Sequence, residues 1–256
     1  MTLSSMALST DIIALLFFVG GVAGFVDAIA GGGGLITVPI LMLSGMSPTQ
    51  ALGTNKFQAC FGSFSASMHF YRRGLVSLGR SVPMILSVAI AAAVGAALVQ
   101  RLDAQLLLRL MPIVFIAMAV YTLFSARLGA QEATQRVGRK TYAACIAPLI
   151  GFCDGFAGPG TGTFFALSLV KLRGMDFVRA TAQTKVLNFT SNVVSLFVFV
   201  AGGQIVWAAG LAMATGQFVG AQLGARTAIR RGSDFIRVLT VVVCIATSVG
   251  LLMQAG

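Results

Sequence analysis

The chain carries the same pattern twice: an aspartate, a glycine-rich loop, and then a lysine inside an apolar segment. Residues 24–34 read GFVDAIAGGGG, and residues 151–162 read GFCDGFAGPGTG. An offset of 127 residues aligns Asp27 with Asp154, and six of the first ten aligned positions are identical. After a two-residue insertion, an offset of 129 aligns Lys56 with Lys185. A duplicated chain with ionisable groups inside apolar segments is typical of a transporter whose site lies between its two halves.

The composition favours lipid as the solvent of this chain. Hydrophobic residues make up 57% of it, charged residues 10%, and the mean hydropathy is +0.91, whereas soluble domains average about 25% charged residues. The apolar runs are continuous rather than alternating, which excludes a transmembrane barrel. We therefore predict an all-α, multi-pass integral membrane protein without a cofactor. The four cysteines form no CxxC pair, so no metal site is expected.

The net charge of +11 does not indicate a nucleic-acid partner. The basic residues lie in the short gaps between apolar runs, where they orient a membrane protein and contact anionic lipid. The N-terminus has no Lys or Arg before the first apolar run, so we expect that run to be retained as a span.

Ten apolar segments are predicted, five in each half. A full span needs about 20 residues, and the second segment of each half is shorter, so these two are expected to be half-helices or re-entrant hairpins. This gives eight full spans with two half-helices, or ten segments, in two homologous repeats: residues 1–126, an inter-repeat loop at 127–140, and residues 141–256. The segments lie near 12–30, 34–45, 49–71, 81–100 and 105–125, then 141–157, 162–172, 179–201, 204–226 and 235–254.

The distribution of basic residues favours inverted repeats. If all five segments of a half count as crossings, fourteen basic residues share one side and only Arg101 and Arg109 lie on the other, a strong positive-inside bias with both termini outside the cytoplasm. If the short segments return to their own side, the repeats are parallel and the bias disappears. The fourteen are Arg72, Arg73, Arg80, Arg127, Arg136, Arg139, Lys140, Lys171, Arg173, Arg179, Arg226, Arg230, Arg231 and Arg237.

Lys56 and Lys185 are the leading candidates for anion binding. Each lies about two turns inside an apolar segment, where an uncompensated lysine costs about 2.5–3.5 kcal/mol. The alternative is structural, with each lysine paired to Asp27 or Asp154. Both interpretations hold together if a lysine released from an aspartate accepts the substrate. For the two aspartates, three roles stay open: holding the glycine loop, pairing with lysine, or carrying a proton.

The glycine loops and the polar neighbours of the lysines complete the predicted site. Glycine permits backbone conformations that point successive N–H groups into one cavity, and a following helix N-terminus adds partial positive charge; tight turns alone are the alternative. Amides and hydroxyls near the lysines are expected to donate to an oxyanion, or else to bond helix to helix. The predicted residues are Gly31, Gly32, Gly33, Gly34, Gly158, Gly160, Thr161 and Gly162 in the loops, and Thr54, Asn55, Gln183, Thr184, Asn188 and Asn192 around the lysines.

A further pattern concerns packing. Gly216, Gly220 and Gly224 recur every four residues, which lets two helix backbones approach closely. Internal packing is the favoured interpretation, and a homodimer interface is the alternative.

The motif residues resemble those of the TauE/SafE family of sulfite exporters. Residues 24–41, GFVDAIAGGGGLITVPIL, and residues 51–63, ALGTNKFQACFGS, carry the resemblance in the first half. The second half departs by having Pro159 and Thr161 within its glycine loop, and it matches through Gly151, Asp154, Gly158, Gly160, Thr161, Gly162, Thr184, Lys185 and Asn188. The resemblance implies transport of sulfite, sulfoacetate or a related organosulfur anion across a bacterial-type inner membrane.

The sequence therefore predicts a secondary transporter, most simply an exporter, and not an enzyme. One histidine and scattered cysteines supply no nucleophile–base pair. An uptake carrier or channel for another small anion is the alternative, and a cation carrier using both aspartates is a further one.

Overall fold

The computed structural model of the protein describes residues 10–110, 113, 117 and 134–255, and in these residues every regular element is a helix. The predicted all-α class is thereby confirmed. Residues 104–110 are helical, while the rest of the predicted fifth segment and most of the inter-repeat loop lie outside the described residues. The labelled helices are α1 (Thr10–Ala30), α2 (Gly33–Leu43), α3 (Pro48–Arg72), α4 (Leu78–Val99), α5 (Arg139–Thr141, a π-helical turn Tyr142–Ile146, and Ala147–Phe156), α6 (Thr161–Arg173), α7 (Phe177–Ala201) and α8 (Trp207–Ala255).

Three of the described helices have the length and apolar composition of membrane spans. They are Ile12–Ala30, Leu78–Val99 and Phe177–Ala201. Large apolar side chains on their outer surfaces are exposed, with Phe18, Ile90 and Phe197 each about two-thirds accessible (68%, 69% and 70%). Such a surface suits a hydrocarbon environment and would be unfavourable in water.

Two short helices follow the glycine loops, as the segment lengths predict. Helix α2 has 11 residues and α6 has 13. At 1.5 Å per residue they extend about 16–20 Å, well short of the roughly 30 Å hydrocarbon core. Each therefore places its N-terminus within the protein interior, directly after a loop.

Helices α3 and α7 pack against each other and carry most of the buried polar groups. Each is 25 residues long. Ser47 caps α3 through a capping box with Gln50, and the carboxylate of Asp176 caps α7 by accepting from the Arg179 N–H. The two caps are 129 positions apart, the same separation as Lys56 and Lys185.

The glycine stripe serves packing within the chain. A methyl group at Gly216 would overlap the Phe17 carbonyl oxygen, and one at Gly220 would overlap that of Gly21, so α8 lies directly on α1. In the same way, Gly95 of α4 lies against the Phe152 carbonyl of α5. The internal interpretation of the stripe is confirmed by these contacts; the homodimer stays a prediction.

One predicted boundary is wrong. The sequence predicts separate segments at 204–226 and 235–254, but α8 runs without a break from Trp207 to Ala255. The intervening residues contain no proline and a single glycine, Gly232, and arginine is a good helix former, so nothing local ends the helix. At 49 residues α8 is about 74 Å long, far more than one bilayer crossing requires.

Candidate functional site

The two intramembrane lysines are buried and paired reciprocally with the two aspartates. Lys56 Nζ lies 2.8 Å from Asp154 Oδ1, and Lys185 Nζ lies 2.9 Å from Asp27 Oδ2. Each lysine is only 1% exposed. Each pair therefore joins a lysine from one predicted repeat to an aspartate from the other. The pairing that the sequence left open is present in both cases, and it compensates the charges in the apolar interior.

The Lys56–Asp154 pair has additional polar partners on α7. Lys56 Nζ also donates to Asn192 Oδ1 at 3.1 Å. The hydroxyl of Ser191 donates to the second carboxylate oxygen, Oδ2, of Asp154. This pair is closed from solvent on both sides, since the two side chains are 2% and 4% exposed.

The Lys185–Asp27 pair is built differently. Lys185 donates both to the carboxylate and to the backbone carbonyl of Asp27. The other carboxylate oxygen of Asp27 accepts from the Gly33 N–H at 3.3 Å. Asp27 thus ties the end of α1 to the start of α2, which is the loop-holding role considered from the sequence. Its side chain is 16% exposed.

The two glycine loops meet each other. Gly31 and Gly158 occupy corresponding places and both have positive φ, +79° and +77°, a conformation that disfavours other residues. A methyl group at Gly31 would lie 2.5 Å from the Gly162 carbonyl carbon, and Thr163 Oγ1 donates to the Ala30 carbonyl at 2.7 Å. The N-termini of α2 and α6 are thereby brought together.

The N-termini of α2 and α6 both reach the site. The first four N–H groups of a helix have no intrahelical acceptor; Gly34 in α2 and Gly162 in α6 are among them. Both residues line the same cavity. Two helix N-termini converging on one point add partial positive charge there.

A small polar cavity lies where the loops, the lysine helices and α8 meet. The free volume inside it is about 20 Å³, which is room for roughly one water molecule. An oxyanion with four heavy atoms does not fit this conformation. The predicted residues that line it are Asp27, Gly31, Gly34, Asn55, Lys56, Asp154, Gly158, Gly160, Thr161, Gly162, Asn188 and Asn192.

The other predicted residues lie outside the lining. Thr54 Oγ1 accepts from the Val206 N–H at 3.0 Å, and Gln183 Oε1 accepts from Ser81 Oγ at 2.9 Å, which is the helix-to-helix alternative. Thr184 is buried, and Lys185 is turned to Asp27. Gly32 is the N-cap of α2, and Gly33 donates to Asp27.

Helical periodicity accounts for the positions of Thr54, Gln183, Asn188 and Asn192. It does not account for Lys185, which shares the face of the two asparagines but turns to Asp27. Thr54 and Gln183 each stand two residues before a lysine, about 200° away around the helix, so they face away from it. Asn188 and Asn192, three and seven residues after Lys185, return to one face. This signal was available in the sequence.

Three further residues complete the surroundings of the cavity. Ala59 and Gln217 line it, and Ser191 holds Asp154. Ala59 stands three residues after Lys56, as Asn188 does after Lys185, so that spacing was also a usable signal. Gln217 belongs to α8, which the sequence could not orient, so only the tertiary packing reveals it. Ser191 lies one turn after Asn188, and that spacing was a usable signal.

Comparison with known proteins places this arrangement among membrane transporters. The sequence profile of the family described as "Sulfite exporter TauE/SafE" matches residues 16–251. A "Probable membrane transporter protein" of Haemophilus influenzae is 40% identical over 251 residues, 98% of each chain. The "Probable membrane transporter protein YfcA" of Escherichia coli K12 is 43% identical over 95% of this chain and 91% of its own. The "Probable membrane transporter protein ORF9" of a Sinorhizobium species is 44% identical over 96% and 94%. No solved structure matches the chain.

Proposed function

The chain belongs to the sulfite exporter TauE/SafE family of membrane transporters, and from this premise we propose that it carries a small organosulfur anion across a bacterial-type inner membrane. Sulfite and sulfonates such as sulfoacetate are the proposed substrates, and a secondary exporter is the proposed mode. The observation that carries the proposal is Lys56, whose buried ammonium lines a polar cavity between two converging helix N-termini.

The lining groups have the chemistry that a tetrahedral or pyramidal oxyanion requires. Lys56 supplies the charge, and the side-chain amides of Asn188 and Asn192 supply neutral donors. The N–H groups of Gly34 and Gly162 add two donors from the backbone. Charge-assisted hydrogen bonds are about twice as strong as neutral ones, so Lys56 is the anchor and the other groups set orientation.

Binding requires the cavity to open. In the described conformation Lys56 is occupied by Asp154, and the free space holds about one water. We propose that the structure is a closed state. The two repeats, inverted in the membrane with both termini outside the cytoplasm, rock against each other and expose the site to each side in turn. The reciprocal ion pairs, which cross between the repeats, re-form in the closed state.

The first test is ligand stabilisation of the purified protein. A ligand that binds only the folded state raises its stability, by about 2.7 kcal/mol at 100 times Kd. Sulfite, sulfoacetate, taurine, sulfate and acetate are compared in detergent by thermal shift. We expect the sulfur oxyanions to raise Tm and acetate to leave it unchanged. An equal shift from all five anions would reduce the effect to general anion binding.

The second test is flux in proteoliposomes loaded with labelled sulfite. We expect saturable efflux above that of protein-free vesicles. Lys56→Gln should remove that flux while the protein elutes as a folded species. Undiminished efflux through the folded variant would remove Lys56 from the site. Flux that does not saturate, together with single-channel conductance, would favour a channel.

A further inference from the structure

We infer that each anion crosses together with one proton, and that Asp154 is the group that carries this proton. The inference rests on the proposed anion transport, and it names the coupling ion and a residue for it. It starts from the charges in the closed site. Two lysines and two aspartates form two ion pairs, so the closed site is neutral.

Anion binding at Lys56 disturbs that balance at one pair only. The anion and Asp154 require the same ammonium, because Lys56 is the lysine that lines the cavity and Asp154 Oδ1 is its present partner. When the anion takes Lys56, Asp154 loses its counter-ion inside a site where it is 3% exposed. A buried carboxylate without a partner is strongly unfavourable. A proton on Asp154 removes the excess charge and restores neutrality.

Asp27 does not compete with the anion for its lysine. Its lysine, Lys185, is absent from the lining and donates twice to Asp27. The Gly33 N–H binds its other oxygen. An anion at Lys56 therefore leaves the Asp27 pair intact, and Asp27 keeps its counter-ion throughout the cycle.

The immediate surroundings of Asp154 supply hydrogen-bond partners for both of its protonation states. Ser191 holds Oδ2 in the closed state. The oxygen that Lys56 leaves, Oδ1, lies in the same cluster as Asn192 Oδ1, which also accepts from Lys56. A proton on Asp154 Oδ1 can therefore be donated to the amide oxygen or to the bound anion. The site changes its proton content without leaving a buried donor unused.

In the described residues of α4 and α6, no other proton-accepting group lies beside Asp154. Helix α4 has no titratable residue between Arg80 and Arg101. The basic residues of α6, Lys171 and Arg173, are in its last turn, at the end away from the cavity.

The remaining titratable groups near Asp154 do not replace it. On α3 the thiol of Cys60 lies one turn after Lys56, and on α5 Cys153 precedes Asp154. Neither is paired to a lysine, so neither loses a counter-ion when the anion binds. On α7 Arg179 is in the first turn and exposed, and Lys185 faces Asp27.

The resulting cycle moves one proton per anion in the same direction. On the loading side the anion binds Lys56 and a proton from water binds Asp154 Oδ1. On the other side the anion leaves, Asp154 releases its proton to water, and the Lys56–Asp154 pair re-forms. A monoanion crosses without net charge, so the anion gradient and the proton gradient together set the direction, and the membrane potential does not.

The test measures sulfite and protons together in proteoliposomes that contain the full chain and a trapped pH dye, with protein-free vesicles subtracted. Wild type, Asp154→Asn and Asp27→Asn are compared, since the last two remove the same charge from reciprocal positions. We expect about one proton per sulfite beyond the protein-free control in wild type. Asp154→Asn should still exchange sulfite for sulfite, with the protein-dependent proton movement lost. Asp27→Asn should keep the wild-type ratio of protons to sulfite in whatever flux remains.

The outcomes separate the coupling from the proposed function. If wild type moves no sulfite, the proposed function fails and the coupling with it. If wild type moves sulfite without extra protons, only the coupling fails. If folded Asp154→Asn keeps the wild-type ratio, the protons travel on the substrate and Asp154 is not the carrier. If Asp154→Asn does not fold, Asp27→Asn decides the question. An unchanged ratio of protons to sulfite in that variant supports Asp154. Loss of the proton movement would transfer the role to Asp27 and overturn the inference.

Discussion

The Lys56–Asp154 and Lys185–Asp27 pairs arise from the same sequence pattern but differ in their surroundings. On α7, the residues that follow Lys185 include Asn188, Ser191 and Asn192. At an offset of 129, the residues that follow Lys56 on α3 are Ala59, Gly62 and Ser63. Ser191 and Asn192 bond to the Lys56–Asp154 pair, and Asn188 lines the same cavity. One lysine therefore lines the polar cavity, and the other is turned to its aspartate, outside the lining.

The duplicated pattern gives both pairs the same helices and loops, and residues that differ between the halves give them different surroundings. Where α7 has Ser191, α3 has Gly62, whose missing side chain leaves room for Gln217 of α8. Where the first loop has Gly32, the second has Pro159, which packs on Gly34. Both pairs compensate charge, but of the two lysines only Lys56 lines the cavity.

The largest difference is expected between Lys56→Gln and Lys185→Gln. Removing one partner of a buried charge pair costs about 3–5 kcal/mol, so both variants should unfold at lower temperature. Only Lys56→Gln should lose flux completely, because it removes the ammonium that lines the cavity. Residual sulfite flux per folded molecule separates the two. The double variant Lys56→Gln/Asp154→Asn restores neutrality, so its Tm should recover while its flux stays absent.

The glycine loops should respond unequally to alanine. Gly31 and Gly158 both have positive φ, which costs a residue with Cβ about 1–2 kcal/mol. A methyl at Gly31 would also meet the Gly162 backbone at 2.5 Å, whereas the atoms nearest to a methyl at Gly158, the end of Lys56 and the Asp154 carbonyl oxygen, are 3.4 and 3.5 Å away. Gly31→Ala should therefore lower the free energy of unfolding clearly more than Gly158→Ala. Equal losses in chemical denaturation would contradict the direct contact of the two loops.

The third pair compares Asn192 with its counterpart Ser63. In the proposed complex the side-chain amide of Asn192 donates to the anion, and a hydrogen bond to a charged group is worth about 1.5–3 kcal/mol. Asn192→Ala should weaken sulfite affinity by roughly 10- to 150-fold, as derived from that range. Ser63 reaches the cluster only through a 3.4 Å contact with Asn192, so Ser63→Ala should change affinity less than about threefold. Isothermal titration with sulfite measures both, and a similar loss in the two variants would argue against an asymmetric site.

Much of the scaffold follows from local sequence. The lysines, the aspartates and the half-helices after the glycine loops are predictable because a charge in an apolar run and a glycine before a short segment each have a local physical meaning. Six of the seven positive-φ glycines in the described residues fall at related positions: Gly31 and Gly158, Gly45 and Gly174, Gly74 and Gly203; the seventh is Gly160. Their pairing supports the predicted duplication. The inverted orientation of the two repeats in the membrane stays a prediction.

The assignment of partners did not follow from the sequence. Either aspartate satisfies either lysine on composition alone, and only the packing of α3 and α7 places Lys56 beside Asp154. Similarly, the continuity of α8 was missed because the arginines near 226–231 indicate a loop by charge while they favour a helix by propensity. Contacts between distant segments decide such cases.

The smallest effects are expected at the two caps that begin the lysine helices, Ser47 and Asp176. Removing an N-cap side chain costs about 1 kcal/mol. Ser47 forms a reciprocal capping box with Gln50, whereas Asp176 makes a single cap bond and sits in an exposed pair with Arg179. Ser47→Ala should therefore lower the free energy of unfolding slightly more than Asp176→Ala. Because both caps lie about two turns before the lysines, neither variant should alter the apparent sulfite affinity. A change in sulfite affinity in either cap variant would mean that the start of that helix moves with the site. The asymmetry of the two pairs would then depend on helix position rather than on the side chains around them.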